Sequence, residues 1–263
     1  MKRILIAGYA VLFVSLVQAQ QNQGKVTYER VSQMQARFNI NGVENVMPQT
    51  RKDNFELTFG NNQSLWKAAE KDEADDMASG GEGMQVRMIV AGANDMMFTN
   101  LENGKRVQKR EVFDKTFIVD DTVTKLKWKM TGETKVIQGH NCMKATSTNI
   151  TTQTRMTVND GKMERQDVQD TANITAWFAT DIPVSAGPAE YQGQLPGLIL
   201  EMDVNNGRQT YIAVTVSDKT DLTLIKEPTG KKHYTANEFK EERDKMMKEF
   251  QQNNSGGMRM RMN

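Results

Sequence analysis

The chain contains one cysteine, Cys142, in 263 residues, so it cannot form an intramolecular disulfide and must hold its fold by packing. It has two histidines, His140 and His233. A zinc enzyme usually needs three protein ligands, commonly several of them histidine. Here any such site would have to combine two distant imidazoles with carboxylates. The sequence also lacks a Gly-x-Ser-x-Gly elbow, a His-Glu-x-x-His pair and a Gly-rich phosphate loop ending in Lys and Ser or Thr, which removes the commonest hydrolytic and nucleotide-using chemistries. No sign of charge dominates, with 34 basic against 33 acidic residues interleaved along the chain. A protein that binds nucleic acid needs a basic face dense enough to displace several counterions, and that class is set aside. Only five prolines and no low-complexity linker interrupt the chain, which fits one large domain better than several.

What is present begins with an export signal. Lys2 and Arg3 precede an uncharged run from Ile4 to Val17, and Val17-Gln18-Ala19 has the small-x-small pattern of a cleavage site. Residues 1–19 therefore read as a signal peptide. No later run approaches the roughly 20 apolar residues of a membrane span, and no cysteine follows the apolar run to carry a lipid anchor. The expected location is the periplasm, the outer-membrane surface or the exterior.

From residue 20 to 234 the dominant pattern has period two, the mark of strands with one buried face. Met34, Ala36, Phe38 and Ile40 alternate, as do Phe55, Leu57 and Phe59; Met84, Val86, Met88 and Val90; and Leu126, Trp128 and Met130. The runs "NITAWF", "LILEMDV", "QTYIAVTV" and "DLTLIKE" continue it, separated by turn signals at Asn159 to Gly161 and Asn205 to Gly207. The expected fold is mainly β, a large curved antiparallel sheet or half barrel with a C-terminal helix. Residues 67–83 carry six acids against two lysines and end in Gly and Ser, which reads as an exposed acidic loop. Thr235 and Glu238 stand at capping-box spacing ahead of Phe239, Met246 and Phe250, predicting an amphipathic helix over 235–252. Residues 253–263 read as a disordered Met/Arg tail.

Two stretches carry a family resemblance: "KLKWKMTGETKVIQGHNCMKATS" and "ITAWFATDIPVSAGPAEYQGQLPGLILEMDV". They resemble the GLPGLI family, exported proteins typical of Bacteroidota. The motif reads Gln194-Leu195-Pro196-Gly197-Leu198-Ile199, with Gln in place of its first Gly, and the family's Gly-aromatic-x-Cys-x-Lys-Ala appears as Gly139 to Ala145 with His140 at the aromatic position. The resemblance implies no particular activity. By fold analogy these hairpins look like those of half-barrel lipoprotein carriers of the LolA and LolB type. Pro196 and Gly197 are expected to form a type II turn, with positive φ at Gly197. A strand then follows from Leu198, with Ile199 and Glu201 on the face opposite Leu200 and Met202.

Candidate chemistry is of three kinds. Trp128, Trp177, Phe178, Tyr191, Leu195 and Pro196 surround the signature and would line an apolar concavity for a ligand, or else form core. Met258, Met260 and Met262 in the tail, with His140 and Cys142 on one strand, are soft donors suited to Cu(I), while Cys142 equally suits a small buried hydrophobe. Asp181 and Glu201 flank the signature and could divide acid and base roles, although Asp181 also suits a turn and Glu201 a solvated position. No cofactor follows from the sequence. The leading expectation is a noncatalytic exported protein that binds an apolar ligand, a lipid or an envelope protein partner; a Cu(I)-binding protein and an Asp181/Glu201 hydrolase are the alternatives.

Overall fold

Alternation becomes strand through most of the chain. The computed structural model describes residues 21–40, 43–70, 94–159 and 162–255, with backbone alone at 34–40, 43–48, 151–159, 162–168 and 250–255. The expected signal peptide, the acidic segment from residue 71, Met84, Met88 and the tail methionines Met258, Met260 and Met262 lie outside these residues. The strands are β1 (Gly24–Ile40), β2 (Val43–Gly60), β3 (Gln63–Ala68), β4 (Met96–Asn100), β5 (Lys105–Val112) and β6 (Lys115–Thr122), then β7 (Lys129–Ile137), β8 (His140–Asn159), β9 (Lys162–Ala179), β10 (Ile199–Val204), β11 (Gln209–Ser217) and β12 (His233–Thr235). The helix α1 (Ala236–Ser255) follows.

The twelve strands form one open, curved sheet in the order β12-β6-β5-β4-β3-β2-β1-β11-β10-β9-β8-β7. It consists of two meanders, β1 to β6 and β7 to β11, seamed where β1 pairs antiparallel with β11 from Lys25↔Ser217 to Ser32↔Gln209. Tight turns join the hairpins, with Asn61 and Asn62 at φ 50° and 57° and Asn205 and Asn206 at 60° and 55°. Asparagine tolerates this left-handed region better than other side chains do. The mainly β, antiparallel expectation holds with one departure, since β12 pairs in parallel with β6.

Several local expectations change. "DLTLIKE" is not a strand: Asp221 accepts a hydrogen bond from the Thr223 N–H and opens a 3-10 turn over Leu222–Leu224, and Pro228 beyond it offers no ladder donor. Lys67 and Ala68, placed at the start of the acidic loop, complete β3. Met130, in alternation with Leu126 and Trp128, is 44% exposed instead of buried. Leu126 and Trp128 precede β7 instead of lying in it, because the Gln194 side chain takes over their pairing. The capping box forms as expected: Glu238 Oε2 accepts from the Thr235 N–H at 2.7 Å, and Thr235 Oγ1 accepts from the Glu238 N–H at 3.3 Å. From that cap, α1 sets Phe239 and Met246 against Phe117 and Val119 of β6, with Phe239 edge-on to Phe117.

The main core lies on one face of the sheet. Tyr28, Leu57, Trp66, Ile174, Ala176, Phe178, Met202 and Tyr211 project from six neighbouring strands into one buried cluster. The same cluster contains Ile182, Ala186, Tyr191, Leu195 and Leu198, which belong to no strand. They come from the 180–198 segment, which lies across the sheet as its second layer.

Candidate functional site

The 180–198 segment connects β9 to β10 and contains the signature. It holds its own shape by backbone bonds, with the Leu198 N–H donating to Ile182 O at 3.1 Å, Ile199 N–H to Ala186 O at 3.0 Å and Ala179 N–H to Leu198 O at 2.7 Å. Gly193, not Gly197, takes positive φ, at 74°, so the expected type II turn with a left-handed Gly197 does not form. Gly197 is required for closeness instead, since a Cβ there would stand 2.0 Å from Ala179 O. Ile199 does not share the solvated side with Glu201. It is fully buried along with Leu198, Leu200 and Met202, because a register shift between Ile199 and Glu201 lets consecutive residues turn inward.

Polar side chains pin the segment to the sheet. Tyr28 on β1 donates its hydroxyl to Ile199 O at 2.5 Å. The Ser64 hydroxyl on β3 donates to Gln192 Oε1, while Gln192 Nε2 donates to Ala189 O at 3.1 Å. Arg106 on β5, only 6% exposed, donates from Nη2 to Glu190 O at 2.8 Å. Burial pulls the Arg106 guanidinium below its ordinary range, opposed by the carboxylates of Asp121 and Glu190. Gln194, the residue that departs from the motif, bridges to 124–128: its Nε2 donates to Thr124 O at 2.9 Å, and its Oε1 accepts from the Leu126 N–H at 3.0 Å and from Trp128 Nε1 at 3.4 Å. One amide thus stands in for a ladder partner along the approach to β7, which is why Leu126 and Trp128 are ordered without being strand.

The sequence-predicted ligand residues divide between two environments. Phe178, Tyr191 and Leu195 are buried in the core, Trp128 packs partly against it, and Pro196 is exposed. Trp177 also packs partly against the core cluster, but the strand alternation turns it to the opposite face from Phe178. There it pairs with Lys144 on β8 and Glu201 on β10, and Lys135 Nζ lies 4.3 Å and Lys144 Nζ 5.8 Å from its ring centre. Lys135 forms an ion pair with Glu201 at 2.7 Å and Lys144 with Glu133 at 3.0 Å. Ile212, opposite Glu201 on β11, is 40% exposed on this face. Sequence reasoning did not connect the two lysines with Trp177. The period-two alternation of Lys144 with Cys142 was the available signal for one of them.

The acid, base and thiol candidates gather beside that patch without forming a reactive set. His140 Nδ1 lies 2.9 Å from Asp181 Oδ2, so Asp181 pairs with a side chain rather than capping a turn, while Glu201 is taken by Lys135. The two carboxylates have separate partners. Cys142 is buried at 1% exposure, with Sγ donating toward His140 O at 3.5 Å. Burial first, then the carboxylates of Asp181 and Glu201, push its thiol up to about 11 against the opposing effects of Lys135 and the Ile137 amide. Among the described residues no group of three or more His, Cys, Asp or Glu could hold a metal ion.

A titration follows from this thiol. A folded pKa above the unfolded value means that the stability tied to the protonated thiol is complete below about pH 8.5 and is lost as pH rises toward the folded value. With a disulfide-exchange reagent at pH 8 the folded protein should leave Cys142 unmodified and the urea-unfolded chain should react. Rapid reaction of the folded protein at pH 8 would contradict the burial.

With this geometry in place, residues 128–201 match a family described as a protein of unknown function, Porph_ging. The matched span runs from Trp128 through the 180–198 segment to Glu201, the region that contains the core layer, the Gln194 bridge and the Trp177 patch. No curated protein matches the chain. Among solved structures, PNGF-II in a C2 crystal form aligns over 84% of this chain and 33% of its own, at 20% identity and a TM-score of 0.45. The chain thus spans about a third of that protein's length. Among the described residues no helix is long and apolar enough to cross a membrane.

Proposed function

We propose that the protein is a noncatalytic exported protein of the GLPGLI type that binds a protein partner in the cell envelope, using the sheet face that bears Trp177, Lys135, Lys144 and Ile212. The observation that carries this reading is the burial of Ile182, Tyr191, Leu195 and Leu198 against Tyr28, Trp66 and Tyr211. The side of the sheet on which a half-barrel carrier would hold a lipid is occupied by the protein's own signature segment. This weakens the apolar-ligand and lipid versions and favours recognition by a protein. The separate partners of Asp181 and Glu201 give the hydrolase reading little support. The pairing of His140 with Asp181 and the protonated Cys142 thiol leave the Cu(I) reading to the tail methionines alone.

The opposite face suits a protein contact. Ile212 and Val214 are 40% and 44% exposed, and an aromatic ring flanked by cations offers a surface that is apolar at its centre and charged at its rim. Native mass spectrometry of protein purified from its own envelope without detergent is expected to give the polypeptide mass alone. A copurifying lipid that survives desolvation would overturn the reading in favour of a carrier. A photoreactive residue at Ile212 should crosslink in cells to one discrete protein, whereas the same residue at Lys240 on α1 should not. Equal labelling at both positions would count against this face.

A further inference from the structure

β8 and β9 run well past the rest of the sheet. β7 pairs with β8 only as far as Thr146, and β10 pairs with β9 only as far back as Ile174. From Ser147 to Asn159, β8 has β9 as its only strand partner among the described residues. These thirteen residues project roughly 40 Å as one side of a two-stranded arm. A two-stranded ribbon is marginal in water, and three or more strands are needed for independent stability.

The edges of the two long hairpins differ in sequence, although β8 beyond Thr146 and the shorter run Met34 to Ile40 of β1 carry a single charge each. The outer strand of the β1–β2 hairpin carries Glu44, Pro48, Arg51, Lys52 and Asp53, and charge and proline are the usual means by which edge strands are kept from pairing. β9 carries Lys162, Glu164, Arg165, Asp167 and Asp170 over its projecting part. By contrast β8 from Ser147 to Asn159 has one charge, Arg155, no proline and no glycine, and contains five Thr with one Ile and one Val, β-branched residues that favour extended pairing.

We propose that this edge is a dimerisation edge: β8 pairs antiparallel with β8 of a second copy across a two-fold axis at Thr154, giving a four-stranded ribbon with the two β8 strands at its centre. The strand is self-complementary in that register. Asn149 stands opposite Asn159, Ile150 opposite Val158, Thr151 opposite Thr157, Thr152 opposite Met156 and Gln153 opposite Arg155. Apolar positions meet apolar positions, threonine meets threonine or methionine, and the two arginines never face one another. β7 sets the limit of the overlap. With Asn159 opposite Asn149, the second copy's β8 ends two residues beyond Ser147, whose hydroxyl donates to Lys127 O at 2.8 Å, and three beyond Thr146, the last residue that β7 pairs. This pairing is independent of the partner-binding face at Trp177, and a monomeric protein would leave that reading intact.

Analytical ultracentrifugation of the purified protein is expected to show a concentration-dependent dimer. Thr154→Lys, which sets two cations directly opposite each other at the axis, is expected to abolish the dimer with an unchanged far-ultraviolet circular dichroism spectrum. Should that variant fold poorly, Thr154→Cys gives the same information. It should form an intermolecular disulfide under mild oxidation because the two Cα atoms lie within disulfide range across antiparallel strands, while buried Cys142 stays silent. Asn149→Cys alone should not crosslink, but Asn149→Cys combined with Asn159→Cys should. A monomer at every concentration, a dimer indifferent to Thr154→Lys, or crosslinking of Asn149→Cys as readily as Thr154→Cys would each overturn the proposal.

Discussion

Gly197→Ala is expected to destabilise the fold by about 3 kcal/mol, the upper end of the usual range for forcing extra volume into a packed interior. The added Cβ would lie 2.0 Å from Ala179 O and 3.0 Å from the Phe178 ring. The first of these is a backbone atom, so no rotamer change relieves the clash. Ala179 also donates its N–H to Leu198 O at 2.7 Å, and moving the strands apart would break that bond too. Urea denaturation should show a large drop in midpoint with an unchanged slope. Gly193→Ala serves as a comparison, since its φ of 74° is the main strain and the nearest atom to an added Cβ is a side-chain carbon of Val123 at 3.3 Å rather than backbone, so its cost should be smaller, about 1 kcal/mol. A Gly197→Ala protein as stable as the parent would show that the two chains are not in close approach.

Leu198→Ala is expected to cost about 3 to 5 kcal/mol, the range for truncating a buried leucine whose surroundings cannot collapse into the space. Leu198 is completely buried and belongs to the central cluster with Tyr28, Trp66 and Tyr211. Its backbone bonds at both ends to Ile182 and Ala179, so the segment is poorly placed to move inward. The measurement is again a denaturant midpoint. A loss under about 1 kcal/mol would mean that the segment rests loosely on the sheet, and the space it fills would become available to an apolar ligand after all.

The strands were legible because alternation is a local property. Leu57 and Phe59, Ile174 and Ala176, and Tyr211 and Ala213 each announce a buried face within a few residues. The helix was legible because Thr235 and Glu238 satisfy each other's backbone donors, again a local matter. The 180–198 segment was not legible. Its apolar residues Ile182, Ala186, Tyr191, Leu195 and Leu198 hold no single period, since Tyr191, Leu195 and Leu198 stand at helical spacing around Pro196 and the step from Ala186 to Tyr191 breaks it, and nothing in their spacing shows that they cover a sheet rather than border a cavity. Part of the division of the candidate site could have been read earlier: Trp177 and Phe178 are adjacent on one strand, so their side chains cannot both line the same surface. The Gln194 bridge was out of reach, since a single side chain there replaces hydrogen bonds that the alternation of Leu126, Trp128 and Met130 assigned to a strand ladder.

The seam between the two meanders bears on how the molecule forms. Each meander pairs neighbours in sequence, but β1 meets β11 only after almost the whole chain is available, with Lys25 opposite Ser217, and β6 gains β12 later still, with Ile118 opposite His233. Closing loops of that length delays the reward of contact, which places the domain among slow-folding, high-contact-order topologies. Until β11 arrives, β1 presents an open edge, and the first meander waits as a half-finished sheet whose apolar face, Tyr28, Leu57 and Trp66, has nothing to lie against. The 180–198 segment is made shortly before β11. The cover for that face and the strand that completes it are therefore delivered almost together, which shortens the time during which either stands exposed.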